Sequence, residues 1–438
     1  LESIKKAVEE AKAESNKPTL IMAETKIAYG APNKEGTAAA HGAPLGEEEI
    51  VGLKKNLNLP VEEKYYITDE VKEYFAEHRK ELKEKRQEWE KQFVEWAEAN
   101  PELKESWDNA ESLLLPANLK EAVAELDIAT PTATRKASGA VLREIADMVD
   151  YLIGGSADLA PSNKTYLDKY NEIQPGQYDG RNIRFGVREH AMGSIVNGMA
   201  LHGGMRPFAA TFLVFSDYMR PSIRMAALMK LPVIYVFTHD SVYIGEDGPT
   251  HQPVEHLEAL RVIPGLKVLR PADADETKAA WLQAVENTEG PTALVLTRQN
   301  LPHLEKETDF WTGTKNGAYT IFSTNAESYD FTFLASGSEV SLASETADLL
   351  VDRGKDVKVI SVPDKNALKG KEDSYVKNLL NGTKKSVVIE AGIGSGWHNL
   401  LNGDYELITV EDFGESGPGH DIAAELGFDA AKIVEKLL

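Results

Sequence analysis

The 438-residue sequence contains no cysteine. Disulfides, thiolate nucleophiles and Cys-ligated zinc or iron–sulfur centres are therefore excluded. No apolar run approaches the ~18–20 residues that cross a bilayer. Signal-peptide patterning, internal repeats and low-complexity tracts are equally lacking. Positive charge is in deficit: 48 Lys and Arg against 70 Asp and Glu give a formal net charge of −22. That balance argues against nucleic acid or an anionic membrane surface as the main partner. A local basic pocket for a small phosphate remains compatible with it. The expected location is cytoplasmic. What is present is globular: 42% hydrophobic and 27% charged residues supply several buried cores rather than a disordered chain. At roughly 100–200 residues per domain, the length predicts about two to four domains.

The chain starts at Leu1, without Met, inside an amphipathic pattern of Leu1, Ile4, Ala7, Val8 and Ala11, which reads as part of something longer. Pro18 to Met22 reads as a short apolar strand, followed by a Gly/Ala/Pro-rich loop from Tyr29 to Gly46. Between 61 and 110, 24 of 50 residues are charged, with mixed signs spaced for helical ion pairs. Within this stretch Val71, Tyr74, Phe75, His78, Leu82, Trp89, Phe93 and Trp96 recur mostly at steps of three and four. The spacing predicts one long amphipathic helix ending before Pro101, its charged face in solvent.

From about 117 to 308, apolar runs alternate with helical patterns. The runs 151–153, 233–237 and 293–296 are short and almost wholly apolar, as expected of parallel strands covered on both faces. From about 320 the alternation restarts: strands at 331–335, 357–362, 386–390 and 406–410, with helices near 339–352 and 372–380. The expected fold class is therefore α/β, with two successive domains of mostly parallel sheet. The expected divisions are 1–116, 117–308 and 309–438.

Ligands of open α/β sheets sit at the carboxyl ends of the strands. After 151–153 comes GGSADLAPSN; after 233–237 come Thr238, His239, Asp240 and Ser241, then GEDGPTHQP; after 293–296 comes Thr297-Arg298-Gln299-Asn300. Such residues also dominate ordinary turns. Three strand ends of one sheet carrying them favour a site. His239, His251 and His256 lack His-x-x-x-His or His-x-His spacing, so no protein-bound metal is expected there. Imidazoles beside Asp and Arg suit proton transfer and hydrogen bonding. Glu189 opens a helical pattern running to about Leu201, where a carboxylate also suits the helix dipole. Phe212, Phe215 and Tyr218 stand three apart, a spacing shared with core residues. GIGSGW at 392–397 imitates a dinucleotide fingerprint, but Trp397 occupies the last glycine position and the match is discounted.

Together these segments resemble the transketolases, thiamine-diphosphate enzymes of the pentose phosphate pathway. The carriers are HGAPLG (41–46), ATRKASG (133–139), GGSADLAPSN (154–163), FGVREHAMG (185–193), TFLVFSDY (211–218), THDSVYIGEDGPTHQP (238–253), LRPAD (269–273), LTRQNLP (296–302) and FGESGPG (413–419). The resemblance implies the tail of a diphosphate-binding domain with a charged helical linker over 1–116. A pyrimidine-binding domain of the thiamin-diphosphate-binding fold and a transketolase C-terminal domain follow. The family's Gly-Asp-Gly…Asn segment, which holds magnesium and the diphosphate, does not occur in the sequence. The expectation is that the N-terminal part is missing, that the ligands of Mg2+ or Ca2+ lie in it, and that this chain alone does no ketol transfer.

By the resemblance, Glu189 bonds the aminopyrimidine of thiamine diphosphate, with Phe212, Phe215 and Tyr218 around the ring and Asp158 near the cofactor. Arg135, Ser162, His239 and Arg298 clamp the sugar phosphate. His251 bonds the developing alkoxide, His41 serves the hydroxyl whose deprotonation drives cleavage, and Asp247 reads the hydroxyl next to the acceptor aldehyde. The implied reaction moves a two-carbon ketol unit from a ketose phosphate of xylulose 5-phosphate type to an aldose phosphate, in a homodimer with sites at the subunit interface. The alternatives are a non-catalytic dimerising fragment, or another thiamine enzyme of the dihydroxyacetone synthase or deoxyxylulose phosphate synthase type.

Overall fold

The structure is a computed structural model that describes residues 1–438 apart from 307, 370, 372 and 402. It divides into two compact units, Leu1–Ala99 and Asn100–Leu438.

The first unit is helical, with helices Glu2–Ala13, Glu47–Asn56 and Asp69–Ala99. Glu49 is its buried carboxylate, accepting from the Asn33 backbone N–H (3.1 Å) and side-chain amide (2.6 Å), and so ties the glycine-rich loop to the second helix. Residues 18–22 form no strand. Leu20 is 84% and Met22 87% exposed, and a strand needs a neighbour to satisfy its backbone groups. The long helix matches its spacing and stops before Pro101. Its Trp89, Phe93 and Trp96 rings stack at 5.1 and 5.5 Å. No described residue of this helix is buried, and none of the chain's described helices is long and apolar enough to cross a membrane.

The second unit contains two sheets. The first has β1 (Leu152–Ser156), β2 (Asn182–Arg184), β3 (Arg206–Phe212), β4 (Ile234–Thr238), β5 (Lys267–Leu269) and β6 (Thr292–Leu296), all parallel, in the order β2-β1-β3-β4-β6-β5. Phe208, Ala210, Ile234 and Val236 face one core with Leu142, Ile145 and Trp281; Ala209, Tyr235 and Phe237 face another with Met192, Val196 and Ile223. With helices on both faces, every residue of β3, β4 and β6 is buried, hence the continuous hydrophobic runs of β4 and β6. β3 had no such run in the sequence reading. Its Arg206 donates to the carbonyl oxygens of Ala284 and Asn287 (2.7 Å to Asn287), closing the C-terminus of helix Ala274–Glu286, a favourable place for a cation. Chain direction changes at the end of β3, so Phe212, Phe215 and Tyr218 lie on a strand, a 3-10 turn and a helix.

The second sheet has β7 (Tyr319–Ser323), β8 (Tyr329–Ala335), β9 (Val357–Ser361), β10 (Thr383–Glu390) and β11 (Asp404–Thr409) in the order β11-β10-β8-β9-β7, with only β7 antiparallel. The helices expected near 339–352 and 372–380 span Glu339–Val351 and Asp373–Leu379, residue 372 lying outside the described set. GIGSGW leads into a 3-10 turn, and its Trp397 is buried with the indole N–H donating to Glu390 (2.8 Å).

Buried charges join the two sheets. Arg270, after β5, bonds Asp240 after β4 (2.8 and 2.9 Å) and Glu339 after β8. Arg261 bonds both oxygens of Glu390 at the end of β10 (2.7 and 2.9 Å). Glu276 accepts from Tyr319 (2.7 Å) and Ser361 (2.6 Å) of the second sheet. Gly337, at φ +59, is glycine because a Cβ would stand 2.7 Å from the Arg270 guanidinium. Arg270→Met would leave Asp240 and Glu339 buried without a counter-charge, costing about 3–5 kcal/mol. Urea unfolding at neutral pH should show that loss, whereas Arg86→Met at the exposed pair with Glu90 (2.7 Å) should cost under ~1 kcal/mol. Equal losses would mean that Arg270 does not join the sheets.

Candidate functional site

The order of the first sheet reverses between β1 and β3, and the crevice at such a point is where α/β sheets take ligands. Gly154 and Gly155 let the strands close there, since a Cβ would meet Phe208 O at 2.1 Å and Ile183 O at 1.9 Å. Beyond them the GGSADLAPSN loop is tied down by a relay of hydrogen bonds. Ser156 Oγ donates to Ala210 O (3.0 Å), Asn163 Nδ2 donates to Ser156 Oγ (2.7 Å), and Thr238 Oγ1 donates to Asn163 Oδ1 (2.7 Å). With its proton committed to Asn163, the Thr238 hydroxyl accepts from His239 Nδ1 (2.8 Å). That assigns the Nδ1–H tautomer and leaves His239 Nε2 with a free lone pair. His239 is buried, holds φ +60, and stacks on Phe212 with centroids 3.7 Å apart.

Around it the charge is one-sided. Burial first, then the positive charge of Arg135, Arg298 and His251, pushes His239 down to about 3, so the ring is neutral near pH 7. Burial and Arg298 likewise lower Arg135. Arg135 Nη1 donates to Ser162 O (2.5 Å), while its Nε is enclosed without a partner. Among the described residues neither Arg135 nor Arg298 has a carboxylate within ion-pair distance. Two guanidiniums, an orphaned donor and a neutral imidazole together lack an anion.

Next to this lies a cavity of about 380 Å³ lined by Asp158, Val187, Glu189, Phe215 and Tyr218 among others. Glu189 is the first residue of helix Glu189–His202. Phe215 links the two regions: its ring is 5.9 Å from Phe212, 6.1 Å from Tyr218 and edge-on to His251 at 5.6 Å. His251 Nδ1 is 2.9 Å from Thr250 Oγ1. The structure thus gathers Arg135, Ser162, His239 and Arg298 in one group, and Asp158, Glu189, Phe215, Tyr218 and His251 in another, with Phe212 between. Asp247 is exposed in the turn Glu246–Gly248, which Ser416 holds by donating to Glu246 O (2.7 Å). His41 lies in the first unit, exposed after the 3-10 turn Ala38–Ala40. His256 is set apart, its Nε2 3.1 Å from Asp217. Sequence reading missed Thr238 and Asn163 as the pair that sets the His239 tautomer; their presence in two of the quoted motifs was the available signal.

Below pH 6.5, the ordinary histidine value, the unfolded chain binds a proton that folded His239 refuses until about pH 3. Folding stability therefore falls as pH drops through that window. Between pH 7 and pH 5 the contribution is up to about 2 kcal/mol. His239→Asn should lose that much less than the unaltered chain over the same interval in urea titrations, and identical slopes would mean that His239 is not held neutral.

Three family models match the chain: "Transketolase, thiamine diphosphate binding domain" over residues 1–116, "Transketolase, pyrimidine binding domain" over 130–303, and "Transketolase-like TK C-terminal domain" over 317–429. The transketolases of Bacillus subtilis (strain 168) and Geobacillus stearothermophilus are each 44% identical to it, across 100% of this chain and 66% of theirs. A transketolase structure from Leishmania mexicana superposes with a TM-score of 0.89 at 36% identity, over 99% of this chain and 64% of that one. The chain thus spans 66% of the length of these curated relatives. The first match bears on one expectation: residues 1–116, read in the sequence as the tail of a diphosphate-binding domain with a charged helical linker, are matched throughout by that domain's model.

Proposed function

The chain belongs to the transketolase family, and from that premise we propose that it serves reversible transfer of a two-carbon ketol unit between sugar phosphates. The observation that carries this reading is the pair of guanidiniums, Arg135 and Arg298, beside the neutral His239 without a carboxylate partner, with the orphaned Arg135 Nε. A phosphate dianion supplies the missing charge and acceptor oxygens, and planar guanidiniums hold it bidentately. Ser162 closes the clamp.

The cavity at Glu189 fits an aminopyrimidine: aromatic rings for its faces, and a carboxyl for a ring nitrogen. When bound, thiamine diphosphate supplies a nucleophilic carbon and an electron sink for the carbon–carbon bond that breaks. Glu189 holds a proton at the pyrimidine nitrogen, a task for a positioned carboxyl. Asp158 lines the same cavity. His251 donates to the substrate oxygen on which charge develops; Asp247 and His41 are assigned to the acceptor hydroxyl and to the hydroxyl deprotonated in cleavage. No residue described above is assigned to the diphosphate or to a divalent metal. Among the described residues, two three-residue groupings come near ion-binding spacing: Asp217, Glu255 and His256, and Asp273, Asp275 and His303. Lys306 fills the second, 2.5 Å from Asp273 and 3.2 Å from Asp275.

Division at 1–116, 117–308 and 309–438 accords with this scheme, as does a homodimer. Ile195, Leu201, Met225 and Leu228 stand exposed on helices Glu189–His202 and Ser216–Leu228, and exposed apolar side chains of this kind suit a protein interface.

Two measurements test the reading. Arg298→Ala and Arg135→Ala should each weaken calorimetric binding of ribose 5-phosphate roughly ten- to hundredfold, one charged hydrogen bond being worth ~1.5–3 kcal/mol. Unphosphorylated ribose should be unaffected, and an equal loss for both sugars would make the arginines structural. In the holoenzyme, assayed with xylulose 5-phosphate and ribose 5-phosphate, Glu189→Ala should lower turnover by orders of magnitude with the melting temperature unchanged. Normal turnover at saturating cofactor would remove Glu189 from the chemistry.

A further inference from the structure

A second cavity, of about 310 Å³, lies where the first sheet's loops meet the C-terminal sheet's helices. Its wall is contributed by Gln299 and Asn300 after β6, Tyr243 after β4, Ser341 and Glu345 on helix Glu339–Val351, and His420, with Asp429 at the rim of the next helix. It is separate from the Glu189 cavity, with which it shares no lining residue. Its size is at the low end of the range of about 300–1,000 Å³ for small-molecule pockets.

The chemistry of the wall restricts what can fill it. Neither lysine nor arginine lines it, while Glu345 and Asp429 do; a phosphate ester would meet two carboxylates and no counter-charge. Asp429 Oδ1 already accepts from Lys432 N (2.9 Å) as a helix cap, leaving its second oxygen. Gln299 Nε2, also of the lining, is enclosed with no hydrogen-bond partner, and an unmet buried donor is costly. The wall therefore asks for donors at its carboxylates and an acceptor at Gln299. Ammonium ions satisfy only the first and carboxylates only the second. A hydroxyl does both. Tyr243 and His420 meet edge to face at 5.7 Å, and with Leu342 and Phe428 give apolar surface to C–H groups.

We propose that this cavity binds a neutral, hydroxyl-rich molecule of monosaccharide size. Gln299 and Asn300 directly follow Arg298 in the chain, so the occupant touches the loop that carries the clamp without using the clamp itself.

Titration calorimetry of the full chain with D-xylose, meso-erythritol and ribose 5-phosphate tests it. For a ligand of ten heavy atoms the expected dissociation constant for D-xylose is on the order of 1 mM. Glu345→Ala, on the exposed side of its helix, should weaken D-xylose binding at least tenfold, and Ser341→Trp should abolish it by filling the space. Arg298→Ala should leave it unchanged while weakening ribose 5-phosphate. If Ser341→Trp does not fold, the Glu345→Ala and Arg298→Ala pair decides. Absence of saturable D-xylose binding would overturn the proposal, as would an affinity that follows Arg298→Ala and ignores Glu345→Ala.

Discussion

Much of the second unit depends on how Arg270 is neutralised. Its guanidinium is fully enclosed, with Asp240 of the first sheet on one side and Glu339 of the second on the other. Charges in such a place are tolerated only when paired and fully hydrogen-bonded. Geometry follows from that demand: the loops after β4, β5 and β8 must come together within bonding distance. Asp240 is the neighbour of His239, so the pair that joins the sheets also fixes where the imidazole stands. Arg261 with Glu390, and Glu276 with Tyr319 and Ser361, repeat the device along the same boundary. One boundary therefore carries both cohesion and aim.

Against that background of matched charges, the crevice at β1 and β3 is an exception. Arg135, Arg298, His239 and His251 face one another without a carboxylate. Leaving Arg135 Nε unmet costs stability in the empty protein, and that cost is recovered when an anion arrives. Thr238 and Asn163 add a constraint of direction, because their hydrogen-bond relay decides which His239 nitrogen faces the ligand. The cavity at Gln299 obeys a related logic with the opposite sign, since its carboxylates and orphaned amide suit hydroxyls and repel phosphate. Arg298 and Gln299, adjacent in the chain, thus serve two chemistries.

Much of the architecture was legible in the sequence. Runs such as 233–237 and 293–296 announced strands covered on both faces, and the three-and-four spacing from Val71 to Trp96 announced a long helix that is present as Asp69–Ala99. Motif order in the sequence alone singles out Glu189, His239 and Arg298. Where the local signal misled, a tertiary cause is visible. The run at 18–22 is apolar enough for a strand but has no neighbour to pair with among the described residues of its unit. The strand β3, which no continuous apolar run marked, is drawn in between β1 and β4, and the chain turns at its end to spread Phe212, Phe215 and Tyr218 over three elements.

Composition and order of residues by themselves determined the class of fold, the lack of thiol chemistry and the residues available at each strand end. These depend on what each residue is and on near neighbours, which a linear string displays. The tertiary structure decided which charges are paired and which are left over. Arg270 and Arg298 are both arginines near strand ends, and nothing local separates them. Arg270 meets Glu339 from 69 positions away, whereas Arg298 stands near Arg135 and the neutral His239 with no carboxylate at ion-pair distance among the described residues. The difference between a fastening and a binding site is a difference of long-range neighbours, and Coulomb energy depends on distance in space rather than on separation along the chain.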